Sequence, residues 1–330
     1  MRRMSNCMVA IIFLLCTATV QVVADDVCLK QVPAIRSVDM ELYTFYMKHS
    51  QGLELCCATC PAQSETFENA SGIFAVLLDD AVSSIRGQYN DVVDFQKLDS
   101  VLLTSSKKTY SQSAGCTPCS SLAKKIQTYS ESGLPTVMAR TVLLHTEKYI
   151  RNPELEFNDG LVSTARYQWV ASGKRRTCRV SIPKTWGRVG SDTANRSFEY
   201  RSALGTGVPF FSIQYVPAKR VRSDEGVMQE LQRRVSAEVL KKQFGGVEIL
   251  AQGIQRLGDI QGIWVMFSAK GKGDRGAGYY YNWYMLVDGT VLVFQSGVCG
   301  SSKFPTIEQE QMFRKYYQTL REIAVSSVIG

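Results

Sequence analysis

Apolar positions recur at helical spacing through the first half of the chain and alternate like strands through the second. Residues 38–48 carry apolar side chains three and four apart, the signature of an amphipathic helix. Residues 73–85 repeat it more strongly, and 95–110, 120–129 and 134–150 complete a set of about five helices. Pro135 falls in the first turn of the last of these, where its missing N–H costs nothing. Residues 151–160, with Pro153, Asn158 and Gly160, mark a boundary. Beyond it, 166–171, 177–182, 198–202, 210–216 and 247–252 read as strands, and 224–244 as one helix with acids first and Lys241 and Lys242 last. A meander follows at 263–269, 279–287 and 290–296, with Asp288-Gly289 as its hairpin turn. Thr306 and Gln309 stand at capping-box spacing at the start of a closing helix. The fold class expected is α+β: a disulfide-rich helical domain over 25–158, then an α+β sandwich with an antiparallel sheet over 159–330.

The first 24 residues break this pattern. Arg2 and Arg3 precede an uncharged apolar run over 8–20, and Val22-Val23-Ala24 precedes Asp25 and Asp26. That is the build of a secretory signal peptide over 1–24, and the run is short of the roughly 20 apolar residues a membrane span needs. Leu15 before Cys16 is too large for a lipid-attachment site. A periplasmic or secreted mature chain starting near Asp25 is expected, with no stable membrane span after cleavage.

Composition then narrows the partners. With 330 residues, 45% hydrophobic and 21% charged, the chain is long enough for about two ordinary globular domains. The net charge of +8 suits a protein or an anionic envelope component as partner. The densest basic run, Lys174-Arg175-Arg176, is too short for a nucleic-acid stripe, so nucleic acid is not expected.

Cysteine is the second informative residue type. Cys28, Cys56, Cys57, Cys60, Cys116, Cys119, Cys178 and Cys299 remain after the leader, an even number in an oxidising compartment, and all are disulfide candidates. Cys178 and Cys299 are the only ones in the second half and are expected to pair with each other. Cys116-Thr117-Pro118-Cys119 precedes a helix, as a redox-active pair does. The strand that should lead into such a pair is missing, and Pro135 follows too soon to supply the proline loop. Bridges from Cys116 and Cys119 to the 56–60 cluster are therefore expected, with a thiol–disulfide oxidoreductase as the alternative. Zinc held by the same thiols is disfavoured by oxidation on export, and no metal or cofactor is assigned.

Gly271-Lys272-Gly273-Asp274-Arg275-Gly276 matches a dinucleotide fingerprint, but a strand follows it where a helix N-terminus is needed. It reads as a hairpin loop whose Lys272 and Arg275 can meet an anionic partner. His145, on a largely apolar helix, reads as a packed, hydrogen-bonded residue. No nucleophile elbow, metalloprotease motif or P-loop is present, so no catalytic residue is assigned. A carboxylate-based envelope hydrolase is a second alternative. The leading binding candidates lie on residues 279–284, where alternation puts Tyr279, Tyr281 and Trp283 on one face and Tyr280, Asn282 and Tyr284 on the other.

Residues 175–325 also resemble a known family. Cys178 to Ile182, Pro183 and Trp186 resemble the "strand, Pro, two residues, Trp" opening of PsbP/DcrB-like sandwich domains. Residues 200–217, the run Gln261-Gly262-Ile263-Trp264-Val265 and the aromatic meander continue the likeness. The resemblance implies an α+β sandwich and a binding, assembly or chaperone-like role without catalysis. Together these readings point to an exported, non-enzymatic binding or assembly factor of the bacterial cell envelope.

Overall fold

A computed structural model describes residues 36–110, 115–171, 173–190, 198–217, 223–271 and 276–330. The leader and Cys28 lie outside the described residues. Among the described residues seven α-helices come first: α1 (Ser37–Thr59), α2 (Ser64–Tyr89), α3 (Phe95–Thr109), α4 (Thr117–Ser132), α5 (Thr136–Leu144), α6 (Glu147–Arg151) and α7 (Leu155–Asn158). On α2 the buried side chains are Phe67, Ala70, Phe74, Leu78, Ala81, Val82, Ile85 and Tyr89, steps of three and four that make one stripe. They meet Leu42, Tyr43 and Leu53 of α1 and Leu122 and Ile126 of α4 in one core. Gly52 lets α1 come close, since a Cβ there would lie 2.8 Å from the Tyr110 ring and 2.9 Å from Leu122.

The described residues of the second half form two antiparallel sheets and three α-helices. Strands β1 (Val162–Ala171), β2 (Lys174–Pro183) and β10 (Val328–Ile329) form the smaller sheet, in the order β1-β2-β10. The larger has seven strands in the order β3-β4-β5-β9-β8-β7-β6. These are β3 (Gly187–Val189), β4 (Phe198–Arg201), β5 (Pro209–Pro217), β6 (Val247–Leu257), β7 (Ile260–Ala269), β8 (Ala277–Val287) and β9 (Thr290–Gly300). One face of the large sheet packs on the small sheet and on α10 (Ile307–Val325) through Trp169, Val180, Phe211, Phe294 and Leu320. The other lies under α8 (Asp224–Arg234) and α9 (Ala237–Phe244) through Leu231, Leu240, Phe244 and Phe267. This is the α+β sandwich with an antiparallel sheet that the alternation predicts.

Two predicted helices are broken where a polar side chain does better outside the helix. The 224–244 segment stops at Val235, because Ser236 turns out to cap α9 and accepts from Val239 N at 3.4 Å. The 134–150 segment stops at Leu144, where His145 leaves the helix to reach polar partners on α1 and α2. The local signals elsewhere hold. Asp288 and Gly289 both take positive φ, 48° and 75°, as a tight hairpin turn between twisted strands requires. Thr306 and Gln309 close a reciprocal capping box on α10.

The helices and strands are joined at the turn after β2. Arg140 of α5 donates through Nε to Lys184 O at 2.6 Å and through Nη2 to Trp186 O at 2.7 Å. Thr185 donates its N–H at 3.1 Å and its hydroxyl at 2.5 Å to the buried Glu156 carboxylate of α7. Trp186 itself is buried and meets Tyr316 of α10 edge-on, ring centroids 6.3 Å apart.

Candidate functional site

The cysteines resolve first. Cys56 is bonded to Cys119 and Cys60 to Cys116, tying the C-terminal end of α1 to the N-terminal end of α4. The two sulfurs of the Cys116-x-x-Cys119 motif are thus joined to other partners and not to each other, and Cys119 is fully buried. That removes the redox pair, and it removes the four thiolates a zinc site would need. The expected Cys178–Cys299 pair is corrected. Cys299 is disulfide-bonded, whereas Cys178 keeps its thiol, buried in the sandwich core on β2 beside β10, where burial pushes its pKa up to about 12. Cys57, the middle cysteine of its cluster, is a half-buried thiol.

A polar relay closes the end of the helical bundle. Ser84 Oγ lies 2.9 Å from His145 Nδ1, and His145 Nε2 lies 3.1 Å from Asp39 Oδ1. Tyr89 and Arg36 donate to the other Asp39 oxygen, each at 2.7 Å. Burial alone would raise the Asp39 carboxyl, but the bonds from His145 and Tyr89 and the charge and bond of Arg36 outweigh it and hold the group below the usual carboxylate range. The Nε2–H tautomer of His145 would donate to Asp39 and leave Nδ1 to accept from the Ser84 hydroxyl, with Arg36 Nη2 3.4 Å from the same Nε2. Sequence reading placed His145 among hydrogen-bonded residues but had no signal for Ser84 or Asp39, which lie 61 and 106 positions away.

The aromatic strand β8 is covered on both faces. Tyr281 and Trp283 are core residues, 2% and 1% exposed, so neither can be offered to a partner. Tyr280 and Tyr284 are buried on the opposite face under α8 and α9. Of the candidate face only Tyr279 reaches a surface groove. Lys272 and Arg275 lie outside the described residues.

Tyr279 opens into a groove of 530 Å³ between α10 and the β6–β7 margin. Its floor and walls are Leu250 of β6, Met266 of β7, Tyr279 of β8 and Phe313 and Tyr317 of α10, rimmed by Glu248, Glu310 and Arg314. Tyr279 stacks on Phe313 at 5.9 Å between centroids, and Phe313 meets Tyr317 at 6.1 Å. Tyr279 Oη donates to Glu310 Oε2 at 3.3 Å, and Arg314 pairs with Glu310 at 2.7 Å. Burial, then the Glu310 and Glu248 carboxylates, push the Tyr279 phenol up, so both acids act on the same ring. Sequence reading found Tyr279 but missed the other walls; the aromatic pair at i and i+4 on α10 is visible in the sequence, yet nothing local says which strand it covers.

A second groove, of 580 Å³, lies on the opposite face of the same margin, between the α8–α9 junction and β6. Val235, Ile249, Ile254 and Ile263 line it. Alternation lets β6 line both grooves, and a β-bulge between Ile249 and Ala251 switches that alternation partway along the strand. Before the bulge Glu248 opposes Ser268 on the α10 side; after it Gln252 and Ile254 oppose Val265 and Ile263 on the α8–α9 side. The extra residue swaps which parity faces which groove.

No family model and no curated protein matches the sequence. The fold defined here, a large antiparallel sheet between a small sheet and helices, is of the α+β sandwich class. Among solved structures the chain is similar to cyanobacterial PsbP (CyanoP) from Synechocystis, with 13% identity and a TM-score of 0.35, over 51% of this chain and 93% of that chain. It is also similar to a Pseudomonas aeruginosa protein of unknown function, with 9% identity and a TM-score of 0.27, over 48% of this chain and 94% of that one. The weak PsbP-like resemblance read from the sequence recurs here, at a similarity too low to carry an argument about activity.

Proposed function

We propose that this chain is an exported, non-enzymatic binding or assembly factor of the bacterial cell envelope, and that it takes its partner at the groove between α10 and the β6–β7 margin. The observation that supports this reading is the groove itself. It gathers Leu250, Met266, Tyr279, Phe313 and Tyr317 into one apolar, aromatic surface with charged groups only at the rim, the composition of an interface hot spot. Leu250 is 45% exposed on it, a large apolar side chain left open to solvent. The disulfide clamps and the leader-like first 24 residues support export, and no helix among the described residues is long and apolar enough to cross a membrane. A photo-crosslinking residue placed at Leu250 in the native host should trap a specific partner. The same residue placed at the exposed Val76 of α2 should not. Equal capture at both positions, or none at either, would overturn the reading.

A second reading, acyl transfer from Ser84, is favoured by the Ser84–His145–Asp39 order of hydrogen bonds, which is that of a nucleophile, a base and an orienting acid. A fluorophosphonate probe followed by peptide mass analysis decides it: an adduct on Ser84 that disappears in His145→Gln would establish this activity.

A further inference from the structure

We infer that β6 is a strand-addition site for an extended partner segment in which basic and aliphatic side chains alternate. The inference rests on the binding-factor reading and names the mode and the partner chemistry.

The first ground is topology. β6 ends the seven-stranded sheet, and among the described residues β7 is its one ladder partner. One side of an 11-residue strand therefore carries a row of N–H and C=O groups open to another chain. Of the devices that blunt an edge, proline and lysine are absent from Val247–Leu257, and the bulge between Ile249 and Ala251 is confined to the start of the strand, leaving a regular run from Gln252 to Leu257. Between Ile249 and Gln255 it has no charged residue, while Leu250 and Ile254 are 45% and 57% exposed.

The second ground is the pair of grooves. A strand laid beside β6 sends successive side chains to opposite faces. On this margin each face has a cavity of its own, 530 Å³ on the α10 side and 580 Å³ on the α8–α9 side. The two differ in chemistry, which sets the order of residues in the incoming segment. The α10 groove offers aromatic rings for a long aliphatic stem and the Glu248 and Glu310 carboxylates for a cationic tip. Arg314 already engages Glu310, whereas Glu248 forms no ion pair among the described residues. The α8–α9 groove is walled by valine and isoleucine and suits an aliphatic side chain. On a chain whose net charge is +8, this acidic rim is a local reversal of sign that selects a basic segment. Main-chain bonds to β6 supply affinity and the two grooves supply specificity.

The test uses the oxidised full chain and an acetylated, amidated heptapeptide alternating lysine and valine, with binding read by calorimetry. Three comparisons accompany it: the glutamate–valine counterpart, the lysine–valine peptide N-methylated on the backbone nitrogens of one edge at a time, and the variants Glu248→Gln and Leu250→Lys, both exposed and harmless to the core. Binding of the lysine–valine peptide is expected, weakened about tenfold or more by charge reversal, by N-methylation of one edge and by Leu250→Lys, and less by Glu248→Gln. If both N-methylated peptides bind as well as the parent, strand addition is overturned while the groove reading survives. If no peptide binds, strand addition is overturned and crosslinking at Leu250 judges the groove independently. A concentration-dependent dimer abolished by Leu250→Lys would assign the edge to a second copy of this chain and also overturn the proposal.

Discussion

Cys119 is bonded to Cys56 across the end of the helical bundle, their Cα atoms 5.4 Å apart, while its motif neighbour Cys116 is bonded to Cys60. The two bridges are nested, with sequence separations of 63 and 56. Closing a loop of this length restricts the unfolded chain by about 4 kcal/mol, but the second bridge confines a chain already confined by the first. Replacing either pair by serine should therefore lower stability by about 1–2 kcal/mol, and replacing both pairs by more than the sum. Urea unfolding of the three variants measures this. The wild-type protein should not accelerate insulin reduction, because neither sulfur of the Cys116-x-x-Cys119 motif can be regenerated by the other.

Asp39 makes the bundle sensitive to acid. Its folded pKa lies below the unfolded value of about 3.9. Its contribution to stability is therefore complete above the unfolded value and is lost as pH falls through the folded one. The urea midpoint should drop below about pH 4 in the wild type and depend less on pH in Asp39→Asn. At neutral pH that variant should lose about 1–3 kcal/mol, since Arg36 loses its anion and Tyr89 and His145 lose a charged acceptor. An Asp39→Asn protein with unchanged neutral stability would show the relay to be dispensable.

The thiols should separate by access. Alkylation of the native protein should reach the half-buried Cys57 first, and Cys178 only after unfolding, because its sulfur is buried and its pKa is raised to about 12. Peptide mapping without reduction should find Cys299 in a disulfide and Cys178 as an unpaired thiol. A Cys178–Cys299 peptide would refute this.

Neighbouring aromatic residues on β8 should behave as different kinds of residue. Trp283→Ala should destabilise the sandwich by about 3–5 kcal/mol, because the indole is 1% exposed and its removal leaves a cavity. Tyr279→Ala should change the unfolding free energy by about 1 kcal/mol or less yet reduce partner crosslinking at Leu250. Thermal unfolding and crosslinking on the same preparations compare the two.

What the sequence by itself determined is whatever a few consecutive residues decide. The stripe on α2, the alternation of β8, the Asp288-Gly289 turn and the Thr306–Gln309 capping box each depend on contacts within one turn of helix or one pair of strands. Local energetics do not reach further. Which cysteine meets Cys119 depends on how α1 and α4 pack, and eight thiols with many possible pairings carry no local record of that. Both faces of residues 279–284 have the same composition whether they are covered or open, so only the placement of α8, α9 and α10 could bury Tyr281 and Trp283 and leave Tyr279 at a groove. The bulge at Leu250 changes the facing of every later residue of β6 without changing the pattern along the chain. The groove belongs to the tertiary structure because its walls come from four elements, and burial of each wall was chosen by the others.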